Sequence, residues 1–318
     1  MTVWIIFIAV IIIFLALDLG VFNRKAHIIK TKEASIWTSV WVSLALAFSG
    51  VIYWLFSNGM VENPTGLTPN TAVIKYITGY LIELSLSIDN VFVIAVIFSS
   101  FKIPEKYQHR VLFWGILGAI VFRALMIFFG VALLNKVDWI VYVFGGFLLY
   151  TAFKMLMSSE EDFNPKQSPM YRFLRKFFPI THTIEGDRFF IRRMGIKAAT
   201  PLFLALMIIE LTDVLFALDS IPAILAITAD PFIVFSSNIL AILGLRSMYF
   251  LISRMLQKFR YINYSLVVIL AFVGVKMMLS HHVEIPEWVS LGIIVLALAA
   301  GIIASIYIPS EKAPIQEK

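Results

Sequence analysis

Apolar residues run along this chain in stretches of about 20, the length that crosses a hydrocarbon core of about 30 Å as an α-helix. Nine stretches have that character: residues 2–21, 36–56, 73–99, 109–134, 138–157, 200–227, 233–254, 262–279 and 288–308. They predict an all-α, polytopic membrane protein, a single transmembrane unit over 1–308 followed by a short polar tail at 309–318. The first stretch reads as a span and not as a cleaved signal. It lacks a basic leading region and an Ala-x-Ala site, and its flanking charges follow it.

Two stretches carry acids where the pattern calls for apolar side chains. Glu210, Asp213 and Asp219 fall inside the sixth. A charged, unpaired acid at that depth costs about 2.5–3.5 kcal/mol, so such residues mark a path for ions or protons, or a buried salt bridge. The third stretch answers the sixth. Glu83 and Asp89 repeat the spacing of Asp213 and Asp219, and Asn90 or Ser220 follows the second acid, then a β-branched residue. The correspondence continues: Gly115, Gly118 and Arg123 of the fourth stretch match Gly244 and Arg246 of the seventh. Ala152-Phe153-Lys154-Met155 of the fifth matches Gly274-Val275-Lys276-Met277 of the eighth. Helices 3–5 and 6–8 therefore form a 3+3 repeat, and an odd-numbered unit must be inverted in its second copy. This expectation puts Lys276 near the outer face as the mirror of Lys154 at the inner one.

Composition agrees with a membrane protein. The 318 residues are 60% hydrophobic and 14% charged, with a mean hydropathy of +0.89. The net charge of +6 carries no indication of nucleic acid, because Lys and Arg gather between the spans. Under the positive-inside rule Arg24, Lys25, Lys30 and Lys32, then the basic loop at 158–199, then Arg254, Lys258 and Arg260 lie in the cytoplasm. The N-terminus is then expected outside and the C-terminus in the cytoplasm. Within the basic loop, residues 187–197 predict a hairpin turning at Gly195. The chain has no cysteine, which excludes thiol redox chemistry and thiolate metal sites. Its histidines, His27, His109, His182, His281 and His282, fall at segment ends or in loops.

What remains at depth is oxygen. Six residues turn an intact helix by about 600°, so neither Glu83 with Asp89 nor Asp213 with Asp219 can chelate one ion alone. Pro222 cannot donate to the Leu218 carbonyl, so the sixth helix is expected to bend there and free that oxygen beside Asp219. Joining the two stretches then gathers Glu83, Asp89, Glu210, Asp213 and Asp219 as metal ligands, with Asn90 as a secondary ligand. Asp18 is either a further ligand near the inner headgroups or an interfacial residue beside Asn23 or Arg24. The five acids carry −5 and Arg123 and Arg246 return +2, leaving −3 for cations or protons. The arginines are read as charge-balancing residues that hold the unloaded site together. An all-oxygen donor set suits magnesium, calcium or manganese.

The stretches LIELSLSIDNVFVIAVIF, LFLALMIIELTDVLFALDSIPAILAIT and NILAILGLRSMYFLI resemble the TerC family of integral membrane proteins. The opening ALDLGVFNRKAH and the length are similar to its Alx-like branch. The resemblance implies a protein of the bacterial plasma (inner) membrane that exports manganese from the cytoplasm, with older labels of tellurite resistance and redox modulation. The family's acidic positions match at Glu83, Asp89, Asn90, Glu210, Asp213 and Asp219. The expected function is thus a manganese transporter, not an enzyme, exchanging the ion for protons, with no resident cofactor and with the lipid bilayer as its surroundings. An alternative is a non-transporting component of a tellurite- or metal-stress complex. An intramembrane aspartyl protease is a weaker fit, since no acid lies in a Gly-x-Gly-Asp stretch. Oligomeric state is not legible.

Nine spans make a topological prediction. In this cysteine-free background Glu62→Cys is labelled in intact cells by an impermeant thiol reagent and Arg175→Cys is not. Labelling at 175 would make the two halves parallel.

Overall fold

A computed structural model describes residues 2–20, 31–63, 66–134, 136–137, 139–157, 171–172, 176, 179–181, 184–193, 196–253, 261–279, 283 and 285–307. Within its helices and strands, the side chains of residues 17–20, 89, 92, 193, 196 and 262–263 lie outside that description. Among the described residues there are nine helices and one small hairpin. The helices are α1 (Thr2–Gly20), α2 (Thr31–Ser57), α3 (Pro69–Ser100), α4 (Glu105–Leu134), α5 (Ile140–Met157), α6 (Pro201–Leu225), α7 (Pro231–Ile252), α8 (Ile262–Leu279) and α9 (Glu287–Tyr307). Seven of them are long and apolar enough to cross a membrane, and α1 and α8 hold shorter apolar stretches. The expected spans reappear within a few residues at each end.

The starts follow from local chemistry. α3, α6 and α7 each begin with proline in the first turn, after Thr68, Thr200 and Asp230. Proline there sacrifices an amide that has no helical partner anyway. Asp230 accepts from the amides of Phe232 and Ile233 at 3.0 Å each, which caps α7.

Packing carries the predicted symmetry. α3 packs on α7 and α4 on α6, a pair of contacts that exchanging the halves interconverts. α3 with α6, α4 with α7 and α5 with α8 pack as counterpart pairs. The pairs are antiparallel. Leu202, Leu204 and Ile208 at the start of α6 share one apolar cluster with Ile94, Ile97 and Phe98 at the end of α3. The same cluster joins Val111 and Leu112 at the start of α4 to Met248 and Tyr249 at the end of α7. The second copy therefore runs opposite to the first. α7 is buried along most of its length, as befits a helix that is apolar all round. α1 lies against it through aromatic contacts, Trp4 to Phe232 at 5.3 Å between ring centres. The outer faces expose Phe128, Phe129, Tyr150, Phe153 and Leu296, side chains suited to lipid and not to water.

α6 runs unbroken through Pro222 and ends at Leu225, and α3 is continuous from Pro69 to Ser100. No interruption accompanies Pro222, where the sequence predicts a bend. Pro222 sits in the final turn of α6, where losing one backbone donor does little to the ladder. Lys276 is neutralised. Its Nζ donates to Glu287 at 2.9 Å and to Ser290 Oγ at 3.0 Å. Lys75 donates to the same Glu287 at 3.0 Å and to the Ile227 carbonyl at 2.6 Å, which ties α9 to α3, α6 and α8. At the opposite end β1 (Phe190–Arg193) pairs antiparallel with β2 (Ile196–Ala199). The expected turn residue, Gly195, lies outside the described residues. Ile180, Ile184 and Phe189 of this region pack on the cluster between α3, α4, α6 and α7 and cover that end of the bundle.

α5 and α8 approach most closely at Gly145 and Gly274. A Cβ at 274 would stand 3.0 Å from the Gly145 carbonyl oxygen and 3.0 Å from Leu149 Cγ, whereas one at Gly146 meets nothing within 4 Å. Gly274→Leu should therefore cost about 1–3 kcal/mol by overpacking and lower the melting temperature in detergent. Gly146→Leu should melt like the parent. Equal melting of all three proteins would contradict this packing.

Candidate functional site

The centre of the bundle holds a buried ion cluster built from both halves of the repeat. Arg123, on α4, is 1% exposed and Glu83, on α3, is 0% exposed. The guanidinium donates through Nε to Asp213 Oδ2 at 3.1 Å and through Nη2 to Asp213 Oδ1 at 2.8 Å, the forked geometry that arginine makes with carboxylates. Its Nη1 donates to Glu83 Oε1 and reaches Ser220 Oγ at 3.5 Å. Two amides complete the cluster. Asn238 of α7 donates to Glu83 Oε2 at 2.9 Å, and Asn90 of α3 donates to Asp213 Oδ1 at 3.4 Å. Every carboxylate oxygen of Glu83 and Asp213 thus faces a donor. The carbonyl oxygens of both amides, Asn90 Oδ1 and Asn238 Oδ1, are buried and meet no donor among the described residues.

The other expected ligands are placed differently. Glu210, one turn before Asp213 on α6, turns its carboxylate against the backbone of Gly118 on α4. Its Oε2 is buried with no hydrogen-bond donor among the described residues. Asp219 faces α5, where Thr151 Oγ1 donates to its Oδ1 at 2.8 Å. The side chains of Asp89 and Asp18 lie outside the described residues. Arg246 is buried in α7, about two turns beyond Asn238. Among the described residues, no three acids or histidines stand close enough to hold one metal ion. Of the expected carboxylates with described side chains, Glu83 and Asp213 converge on Arg123, whereas Glu210 and Asp219 turn to other neighbours. With α6 intact, the turn of about 600° between Asp213 and Asp219 sends the latter to another neighbour. Arg123 meanwhile occupies the space between the two acids that do converge.

A cavity of about 20 Å³ touches Asn90, Thr212 and Asp213 and is otherwise lined by apolar side chains and Gly115, room for about one water molecule. It lies on the side toward the α3–α4 turn, bounded by Ile97, Leu112 and Leu245. Sequence reasoning missed Asn238 as a partner of Glu83. The available signal was Ser236-Ser237-Asn238, three polar residues in succession on a span, each 0% exposed. It also missed the notch at Gly118 and the Thr151 donor to Asp219.

The profile of the integral membrane protein TerC family matches residues 68–313, which contain this cluster and both halves of the repeat. The chain belongs to the TerC family. Membrane protein STKORF319 of Myxococcus xanthus is 50% identical over 314 residues, covering 99% of this chain and 94% of that one. Alx of Escherichia coli K12, whose name proposes a membrane-bound redox modulator, is 45% identical over 289 residues, 91% of this chain and 89% of its own. A Rickettsia bellii membrane protein is 42% identical over 303 residues, 95% of this chain and 96% of that one. No solved structure matches the chain. In this TerC protein, then, the acids of α3 and α6 meet at one arginine inside an integral membrane bundle.

The cluster predicts an order of stability losses. Arg123→Ala leaves two buried carboxylates uncompensated and should cost about 3–5 kcal/mol. Asn238→Ala removes one donor from Glu83 and should cost about 1–3 kcal/mol. Melting in detergent should rank the parent above Asn238→Ala and that above Arg123→Ala. An unchanged melting point for Arg123→Ala would contradict the buried pairing.

Proposed function

We propose that this protein transports divalent manganese out of the cytoplasm, in exchange for protons, across the bacterial inner membrane, with its N-terminus outside and its C-terminus in the cytoplasm. The observation that carries the reading is the cluster itself: two acids, one from each inverted half, beside two buried amide oxygens that lack donors. All are oxygen donors, which favours hard or borderline cations such as manganese over copper(I). Inverted halves with polar groups at their shared centre suit alternating access, in which one half rocks against the other around a fixed site. In this reading Glu83, Asp213, Asn90 and Asn238 face the ion in its loaded state. Glu210, Asp219 and Asp89 serve the path into and out of it. In the described conformation Arg123 holds the acids. Protons exchange for the metal because the ligands act as carboxylates, so binding the ion releases protons.

Asp219→Asn and Asp89→Asn test the reading, and Asp219 bonds to Thr151 and not to Arg123. The amide at 219 still accepts from Thr151. Each variant should accumulate in the membrane as the parent does, and manganese flux into inside-out vesicles should fall at least about tenfold, as for loss of a charged ligand. Parental flux should accelerate when the vesicle lumen is acidified. Normal flux in both variants, or parental flux indifferent to the pH gradient, would contradict the path or the coupling respectively.

A further inference from the structure

We infer that Arg123 is a tethered stand-in for the transported cation, displaced from Glu83 and Asp213 when the ion loads and received by Glu210. The inference rests on the manganese-transport reading. A divalent ion and the guanidinium cannot share the same oxygens. Of the four carboxylate oxygens, Arg123 occupies Glu83 Oε1 and both oxygens of Asp213. The fourth, Glu83 Oε2, accepts from Asn238. Binding a cation there requires Arg123 to leave, while Asn90 and Asn238 keep their carbonyl oxygens for the newcomer.

The displaced arginine has a destination. Glu210 lies one turn before Asp213 on α6, and its Oε2 meets no donor among the described residues. Its carboxylate rests over Gly118, which precedes Arg123 on the same helix, α4. Side chains on a helix lean toward its N-terminus, so the guanidinium of Arg123 leans from its own Cα toward the Gly118 end. The seat exists because residue 118 is glycine: a Cβ there would overlap the Glu210 carboxylate. A charged side chain leaving one buried acid for another about one turn away never passes uncompensated through the bundle, which keeps the exchange feasible at this depth.

Manganese binding to the purified protein in detergent tests this by a double-mutant cycle. Arg123→Gln removes the competitor and should tighten binding about tenfold or more, the scale of one lost charged hydrogen-bonded contact, while transport in proteoliposomes is lost. Glu210→Gln removes the destination and should weaken binding. In the Arg123→Gln background, Glu210→Gln should leave the affinity unchanged, because no guanidinium needs a seat. If the Arg123→Gln protein does not purify folded, Arg123→Lys, which cannot fork to both acids, should shift affinity in the same direction by less. Equal weakening by Glu210→Gln in both backgrounds would make Glu210 a direct ligand and overturn the inference. So would weaker binding in Arg123→Gln or Arg123→Lys. Failure of the parent to bind manganese at all would instead overturn the transport reading beneath it.

Discussion

Everything at the centre of this bundle depends on one guanidinium between two carboxylates. Arg123 of α4 joins Glu83 of α3 to Asp213 of α6, and Asn238 brings α7 to the same point. Burying three charges is costly, and an apolar cluster of the same volume would often be no less stable. Such a cluster is therefore poorly explained as a device for stability alone. It fixes the crossing of four helices at one register, and it puts a net negative charge where lipid-surrounded proteins ordinarily have none.

The inverted repeat explains why the two acids meet. α3 and α6 run antiparallel through the centre, so equivalent positions near their midpoints face each other across the pseudo-twofold. The rest of the fold encloses this centre at both ends. At the end near the start of α3, Glu287 sits between Lys75 and Lys276 and closes α9 over the bundle. At the other end the segment around Ile180, Ile184 and Phe189 covers the apolar cluster below the small cavity. Both closures are seen in one conformation.

Much of this was legible in the chain. Long apolar runs located α3, α6 and α7, because membrane helices must satisfy their backbone internally and declare themselves by length. The paired spacing Glu83–Asp89 and Asp213–Asp219 located the repeat. The division of the acids was less legible. The helical phase already separates Asp213 from Asp219, and the intact α6 preserves that separation. Which arginine reaches the acids depends on how α4 crosses α3 and α6, a property that hydropathy does not encode. Asn238 and the Gly118 notch are contacts between helices, and a linear pattern shows a small or polar residue without naming its partner.

The central claim is that one cation site lies between the two inverted halves, at the oxygens that Arg123 holds in the unloaded protein. Anomalous diffraction at the manganese absorption edge, from crystals of the manganese-loaded protein, tests it directly. The account predicts a single strong peak within about 2.0–2.6 Å of oxygens of Glu83 and Asp213, the range for hard divalent ions, with Arg123 withdrawn from both. A peak elsewhere in the bundle, or manganese bound with the Arg123 contacts intact, would contradict it.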